Sequence, residues 1–220
     1  MEPRREFLAS SIGRKVVMAV TGVILFLFVL GHMFGNLQVY LGPEAMNHYA
    51  VYLRQVLHGA GLWVARGVLL AAVVLHIWAA TSLTLRSRAA RPVGYRERQW
   101  REATYASRTM RWSGVILFFF IIYHLLHFTT GTVHPNFVEG DVYHNFVTGF
   151  QSVPVSIFYI LAMIFLGLHL RHGVWSMFQT LGVSHPRYIA IAKACAWAFA
   201  ALIVIGNVSF PIAVLAGVIK

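Results

Sequence analysis

With 220 residues, 58% hydrophobic and only 11% charged, the chain carries more apolar surface than a water-soluble domain of that length could hide. Its net charge of +11 would suit a nucleic-acid partner, yet eight of the eighteen basic residues fall in one stretch, 86–111, between two apolar runs. That placement follows the positive-inside rule, not a groove-reading surface, so nucleic acid is excluded as a partner. A lone cysteine, Cys195, rules out an internal disulfide and is too few for an iron–sulfur cluster or a thiolate zinc site, which leaves it a small packing residue.

Five apolar runs approach or exceed the roughly 20 residues needed to cross a bilayer. They are read at about 16–39, 62–85, 111–130, 154–178 and 188–214, within one domain covering residues 1–220. Backbone polar groups in lipid must bond within their own segment, so the runs are expected to be helices in an all-α bundle. The basic start before the first run resembles a signal peptide, but the run is too long for an h-region and lacks a small-residue cleavage site, so it is read as a retained span. A polar connection at 41–59 includes a helical-looking stretch, 44–57. The connection at 131–153 has no Lys or Arg, only Glu139 and Asp141, and Pro154 is well placed to open the fourth helix. Arg4, Arg5, Arg14 and Lys15 precede the first span, and Arg187 and Lys193 flank the turn between the fourth and fifth. The N-terminus is therefore expected in the cytoplasm and the C-terminus outside. No internal repeat or low-complexity linker is read.

Four of the spans carry a histidine. An ionisable side chain inside a membrane is costly, so its default reading is functional. At ~1.5 Å of rise per residue, His32 lies roughly 24 Å and His124 roughly 20 Å from the inner ends of their helices, whereas His76 and His169 lie only about 13–15 Å above theirs. The depths pair His32 with His124 in the outer half and His76 with His169 nearer the inside. Two stacked pairs of imidazoles suit two bis-histidine haems held between facing helices. Small residues nearby, Gly31, Gly35, Ala79, Ala80, Gly167 and Gly173, would give a flat macrocycle clearance, although such residues also promote plain helix packing.

Gly13-Arg14-Lys15, leading through Thr21-Gly22 to Gly31-His32-Met33-Phe34-Gly35-Asn36-Leu37, resembles the first helix of the cytochrome b membrane anchor of succinate:quinone oxidoreductases. This is the single-chain, five-helix, dihaem type found with succinate dehydrogenase or fumarate reductase. Met110-Arg111-Trp112-Ser113-Gly114, running to Tyr123-His124-Leu125-Leu126-His127-Phe128, is similar to the third span of that family. Leu168-His169-Leu170-Arg171-His172-Gly173-Val174-Trp175-Ser176 is similar to its fourth; Leu75-His76 in the second is less specific. The resemblance implies two haems b on His32, His76, His124 and His169, with no ligand from the fifth span. It also implies a flavoprotein subunit, an iron–sulfur subunit delivering electrons, a membrane quinone such as menaquinone, and a bacterial cytoplasmic membrane. The basic connection lies on the expected docking side of the iron–sulfur subunit.

His127 and His172 follow proposed ligands by three residues, on nearly the same helix face, and either could replace its neighbour, contact a haem propionate or simply pack. Arg171 could pair with a propionate or snorkel to the inner surface. His48, His58, His134, His144 and His185 fall in connections. For the quinone, polar candidates on the outer side are Asn36, Gln38, Tyr40, Glu44 and His48, and on the inner side Ser11, Arg14 and Arg171. No Asp or Glu lies within the five runs, so protons are expected to come from one surface. Two other readings stay open: a di-iron hydroxylase or desaturase built on histidine boxes, and a bundle without cofactor.

Overall fold

The computed structural model describes residues 7, 9–90, 105–180, 182 and 185–220, and the regular structure among them is helical. Most of the basic connection (91–104), together with Arg4 and Arg5, lies outside the described residues, and the docking role expected of that connection lies there with it. The first helix, α1, runs Ser11–Asn36 and ends in a 3-10 turn, Leu37–Leu41. An interfacial helix, α2, covers Pro43–Gln55; Leu57, His58 and Gly59, all with positive φ, then reverse the chain into α3, Ala60–Ala89. Helix α4 covers Tyr105–His124 and passes into a π-helical turn, Leu125–Thr129. Three more follow: α5 (Val142–Gln151), α6 (Val153–Thr180) and α7 (Pro186–Leu215). Five of them, α1, α3, α4, α6 and α7, are long and apolar enough to cross a membrane.

The helix ends follow local chemistry. The Ser10 hydroxyl accepts a hydrogen bond from the Gly13 N–H at 2.9 Å, so α1 starts ahead of its apolar run and carries Arg14 and Lys15 in its first turns. Arg86 and Arg88 sit in the last turn of α3, where cations complement the helix dipole. Pro154 lies in the first turn of α6, where its missing N–H costs nothing.

Packing divides the bundle into two antiparallel hairpins. Helix α1 lies along α3, and α4 lies along α6, with α7 against the other side of α6. Among the described residues, α1 and α4 make no extended backbone contact, nor do α3 and α6; the hairpins meet instead where α1 packs on α6 and α7, which leaves a seam between the helices that do not touch. The α6–α7 contact is close because Gly167 has no side chain: a Cβ there would strike Val204. Gly206 admits Met33 of α1 in the same way. The main core, including Met33, Phe146, Phe150, Tyr159, Met163, Ile203 and Phe210, gathers towards the end away from the start of α1, here the far end.

That far end is capped by the two polar connections. Helix α5 was not expected there; Asp141 starts it by accepting from the His144 N–H at 3.0 Å. Its residues Phe146, Val147 and Phe150 are buried against the bundle, a burial that the polarity of the whole connection masks. Asn47 of α2 ties the two connections, donating to Asp141 Oδ1 at 2.9 Å and accepting from the Tyr143 N–H at 3.0 Å.

Candidate functional site: paired imidazoles across a seam

The seam between the hairpins is bridged at two levels by histidines. The His32 and His124 rings face each other with centroids 5.8 Å apart and planes at 88°. The His76 and His169 rings are 6.3 Å apart at 53°. The second pair lies at the level of Thr21, which places the two pairs about 16 Å apart along α1. As whole residues His32 is exposed and the other three are half-buried. His127 and His134 differ: only 1% and 6% exposed, they are enclosed by protein.

Around the near pair the hydrogen-bond partners are the same on both sides. Thr21 Oγ1 donates to the Val17 carbonyl at 2.7 Å and lies 3.1 Å from His76 Nδ1. Ser113 Oγ donates to the Met110 carbonyl at 2.9 Å and lies 3.2 Å from His169 Nδ1. A hydroxyl whose single proton goes to the carbonyl can accept Nδ1–H from the imidazole beside it, and both sites have the geometry for this arrangement. Each Nε2 is then left with a free lone pair, the state a metal ligand requires. The next residue in each case is glycine. A Cβ on Gly22 would stand 3.5 Å from His76 Cε1, and one on Gly114 3.8 Å from His169 Cε1.

The far pair is built otherwise. Each imidazole stacks on the phenylalanine one turn before it: Phe28 on His32 (5.3 Å, 22°) and Phe120 on His124 (5.7 Å, 28°). His124 Nδ1 lies 3.3 Å from the Tyr159 hydroxyl, which is also 3.2 Å from Nδ1 of His127. No hydrogen bond to His32 is found among the described residues.

These contacts expose an internal repeat where none was expected. Thr21-Gly22-Val23-Ile24-Leu25-Phe26 matches Ser113-Gly114-Val115-Ile116-Leu117-Phe118, and the same interval leads from each hydroxyl to the histidine of the far pair. Both copies run in the same direction, and each is followed by an antiparallel helix holding one histidine of the near pair. Each pair therefore joins equivalent positions of two similar hairpins, a parallel repeat about an axis along the bundle. The signal was the recurring hydroxyl–glycine pair, which hydropathy alone conceals.

The residues fit a haem at each level. Two imidazoles sharing one metal ion through bonds of about 2 Å would have ring centroids about 6 Å apart, and the pairs measure 5.8 and 6.3 Å. The helices that bear each pair are not packed together, and each near imidazole has a hydroxyl beside its Nδ1. A di-iron site would need several ligands at one point, but no three His, Cys, Asp or Glu side chains converge among the described residues. A family model described as the succinate dehydrogenase/fumarate reductase transmembrane subunit matches residues 87–206. The chain belongs to that family. No curated protein and no solved structure matches it. The family places it among the membrane subunits of an oxidoreductase complex, as the resemblance of its first, third and fourth spans implied.

Other expected residues of this transmembrane subunit are more scattered. Gly31 and Gly173 border open space, as clearance would require, but Gly35 faces the Tyr49 ring and Gly167 faces Val204, so these two serve packing. Arg171 places its guanidinium 4.3 Å from the Trp197 ring centroid, and Lys193 lies 5.3 Å from that of Trp175, a reciprocal clasp between α6 and α7. Arg14 stands 5.6 Å from the Trp78 centroid, and His172 is half-buried. Tyr40 donates to Ser209 at 2.8 Å; Asn36 and Gln38 are half-buried, while Ser11, Glu44 and His48 are exposed. An open cavity of about 380 Å³ at the far end is lined by Pro43, Asp141, Tyr143, His144, Gln151 and Lys220 among others, and by none of the quinone candidates.

Proposed function

We propose that this chain is the cytochrome b anchor of a succinate:quinone oxidoreductase, linking an iron–sulfur subunit to a membrane quinone through two bis-histidine haems b. His32 and His124 would hold one, His76 and His169 the other. The observation that carries the reading is the two-level bridge of imidazoles between helices that are not packed on each other, with hydroxyls placed to set the near pair as Nε2 donors. When bound, the haems supply one-electron carriers at two depths. The chain's own residues set ring orientation through Thr21, Ser113 and Tyr159, exclude water through the far-end cap, and fix the separation through helix rise.

By the positive-inside rule the near end faces the cytoplasm, where the iron–sulfur and flavoprotein subunits would dock, and the far end faces outward. His124 faces the His32 ring whereas His127 is enclosed by protein, which favours His124 over it as ligand. Arg171 and His172, in the cytoplasmic half, remain the residues for propionate contact. Quinone chemistry belongs at the outer end, near Asn36, Gln38, Tyr40, Glu44 and His48, with Ser11 and Arg14 the inner alternative. Purified protein is expected to show reduced-minus-oxidised b-type bands and two haems per chain. A colourless chain would leave the cofactor-free bundle as the reading.

A further inference from the structure

The outer pair holds a feature the inner pair lacks: one phenol contacts two imidazoles. Resting on the dihaem reading, we infer that Tyr159 and His127 form a directional hydrogen-bond relay behind His124 that lowers the potential of the outer haem. The direction follows from proton supply. With Nε2 on iron, His124 carries its proton on Nδ1 and donates it to the Tyr159 oxygen at 3.3 Å. The single phenolic proton is then free for Nδ1 of His127 at 3.2 Å. Donating that hydrogen bond makes the phenol oxygen a better acceptor, which would give His124 more imidazolate character and favour the oxidised haem.

Three observations show that the relay is built and not incidental. Tyr159 is 5% exposed, and Phe120, Phe128 and Phe150 pack against its ring, so its hydroxyl has little freedom. His127 is held beneath α5, where a Cβ on Gly149 would come within 2.9 Å of its Cε1. The repeat adds the third: the position equivalent to His127 in the first hairpin is Gly35, so the relay departs from the shared pattern on one side only. The chain of bonds also stops at His127 as far as its stacked neighbour is concerned. His134 donates from Nε2 to the Asn145 carbonyl at 2.9 Å and accepts at Nδ1 from the Asn136 N–H at 3.2 Å, so neither nitrogen is free to extend it.

The test is a redox titration of the haem-loaded complex, followed by optical and electron paramagnetic resonance signals of both ferric haems. Tyr159→Phe keeps the ring and deletes the oxygen; it should raise the outer potential, move the outer ferric signal and leave the inner haem in place. His127→Leu should shift the outer haem the same way by less, and His127→Gln, whose amide oxygen can accept the phenolic proton, should restore it. Two retained haems with unmoved potentials in Tyr159→Phe, or equal shifts in the leucine and glutamine variants, would overturn the relay. Should Tyr159→Phe lose the outer haem, the leucine–glutamine contrast decides. A parent protein without haem defeats the dihaem reading instead.

Discussion

The two imidazole pairs sit at equivalent positions of a repeated hairpin, yet they are finished differently. At the near pair Thr21 and Ser113 are interchangeable: each hydroxyl sits within hydrogen-bond reach of a carbonyl of its own helix and of a histidine Nδ1. At the far pair only the stacking phenylalanines are shared; His124 has Tyr159 and His127 behind it, and His32 has open space beside Gly31. A repeat provides two like sites at little cost in sequence, and local departures from it then make the sites unlike. On the proposed dihaem reading such a difference matters, because the relative potentials of two carriers in series would decide where an electron rests.

The most drastic way to break the comparison is to remove a ligand. His124→Ala should lose the far haem and keep the near one, and His169→Ala the reverse, so each variant retains about half of the b-type absorbance. Haem extraction and quantitation check this, and retention of both haems in either variant would refute the pairing. A subtler test asks whether the near pair is as symmetric as it looks. Thr21→Ala and Ser113→Ala each remove one Nδ1 acceptor, and loss of such a partner typically costs about 10–100-fold in metal affinity. Both should weaken near-haem retention by similar factors in competition with a haem-binding acceptor protein, with the far haem unaffected. Markedly unequal effects would show that the repeat is one of sequence and not of ligand environment.

Much of this architecture is legible in the amino-acid sequence. Lipid forces apolar runs into helices, and regular helical rise turns residue number into depth, so both the five spans and the pairing of His32 with His124 and His76 with His169 follow from the chain alone. What is not legible is whatever depends on a neighbouring helix. Thr21 and Ser113 read as minor polar residues in apolar runs until His76 and His169 are placed beside them. Tyr159 is one aromatic among many until two imidazoles meet at its oxygen. Gly35 and Gly167 sit near His32 and His169 in sequence but face Tyr49 and Val204, a matter of helix rotation that spacing leaves ambiguous. Helix α5 escaped because its apolar stripe is short and its connection polar; only burial of Phe146 and Phe150 gives it a face.

The smallest expected effect concerns the cap that closes the far end and leaves the near end alone. Asp141 holds the first turn of α5 and the link to Asn47, and these bonds, the His144 N–H first and the Asn47 amide second, lower its carboxyl pKa below the usual 3.8. A depressed pKa means the ionised form is favoured by folding: its contribution is full above the unfolded value and fades as pH falls through the folded one. The cap should therefore loosen only below about pH 4, and weakly, because the carboxylate is largely exposed to solvent. Asp141→Ala should cost about 1 kcal/mol in the cap at neutral pH, as the loss of an N-cap usually does. Asp141→Asn keeps an accepting oxygen and should lose less, with no acid dependence from this site. Hydrogen exchange of the α5 amides across pH reads both effects, and because the near pair lies at the other end, its haem should be silent in either variant. A near-haem signal that moved with Asp141 would mean that the two ends are coupled through the bundle, and that the contrast between the pairs is not set by their own hydrogen-bond partners alone.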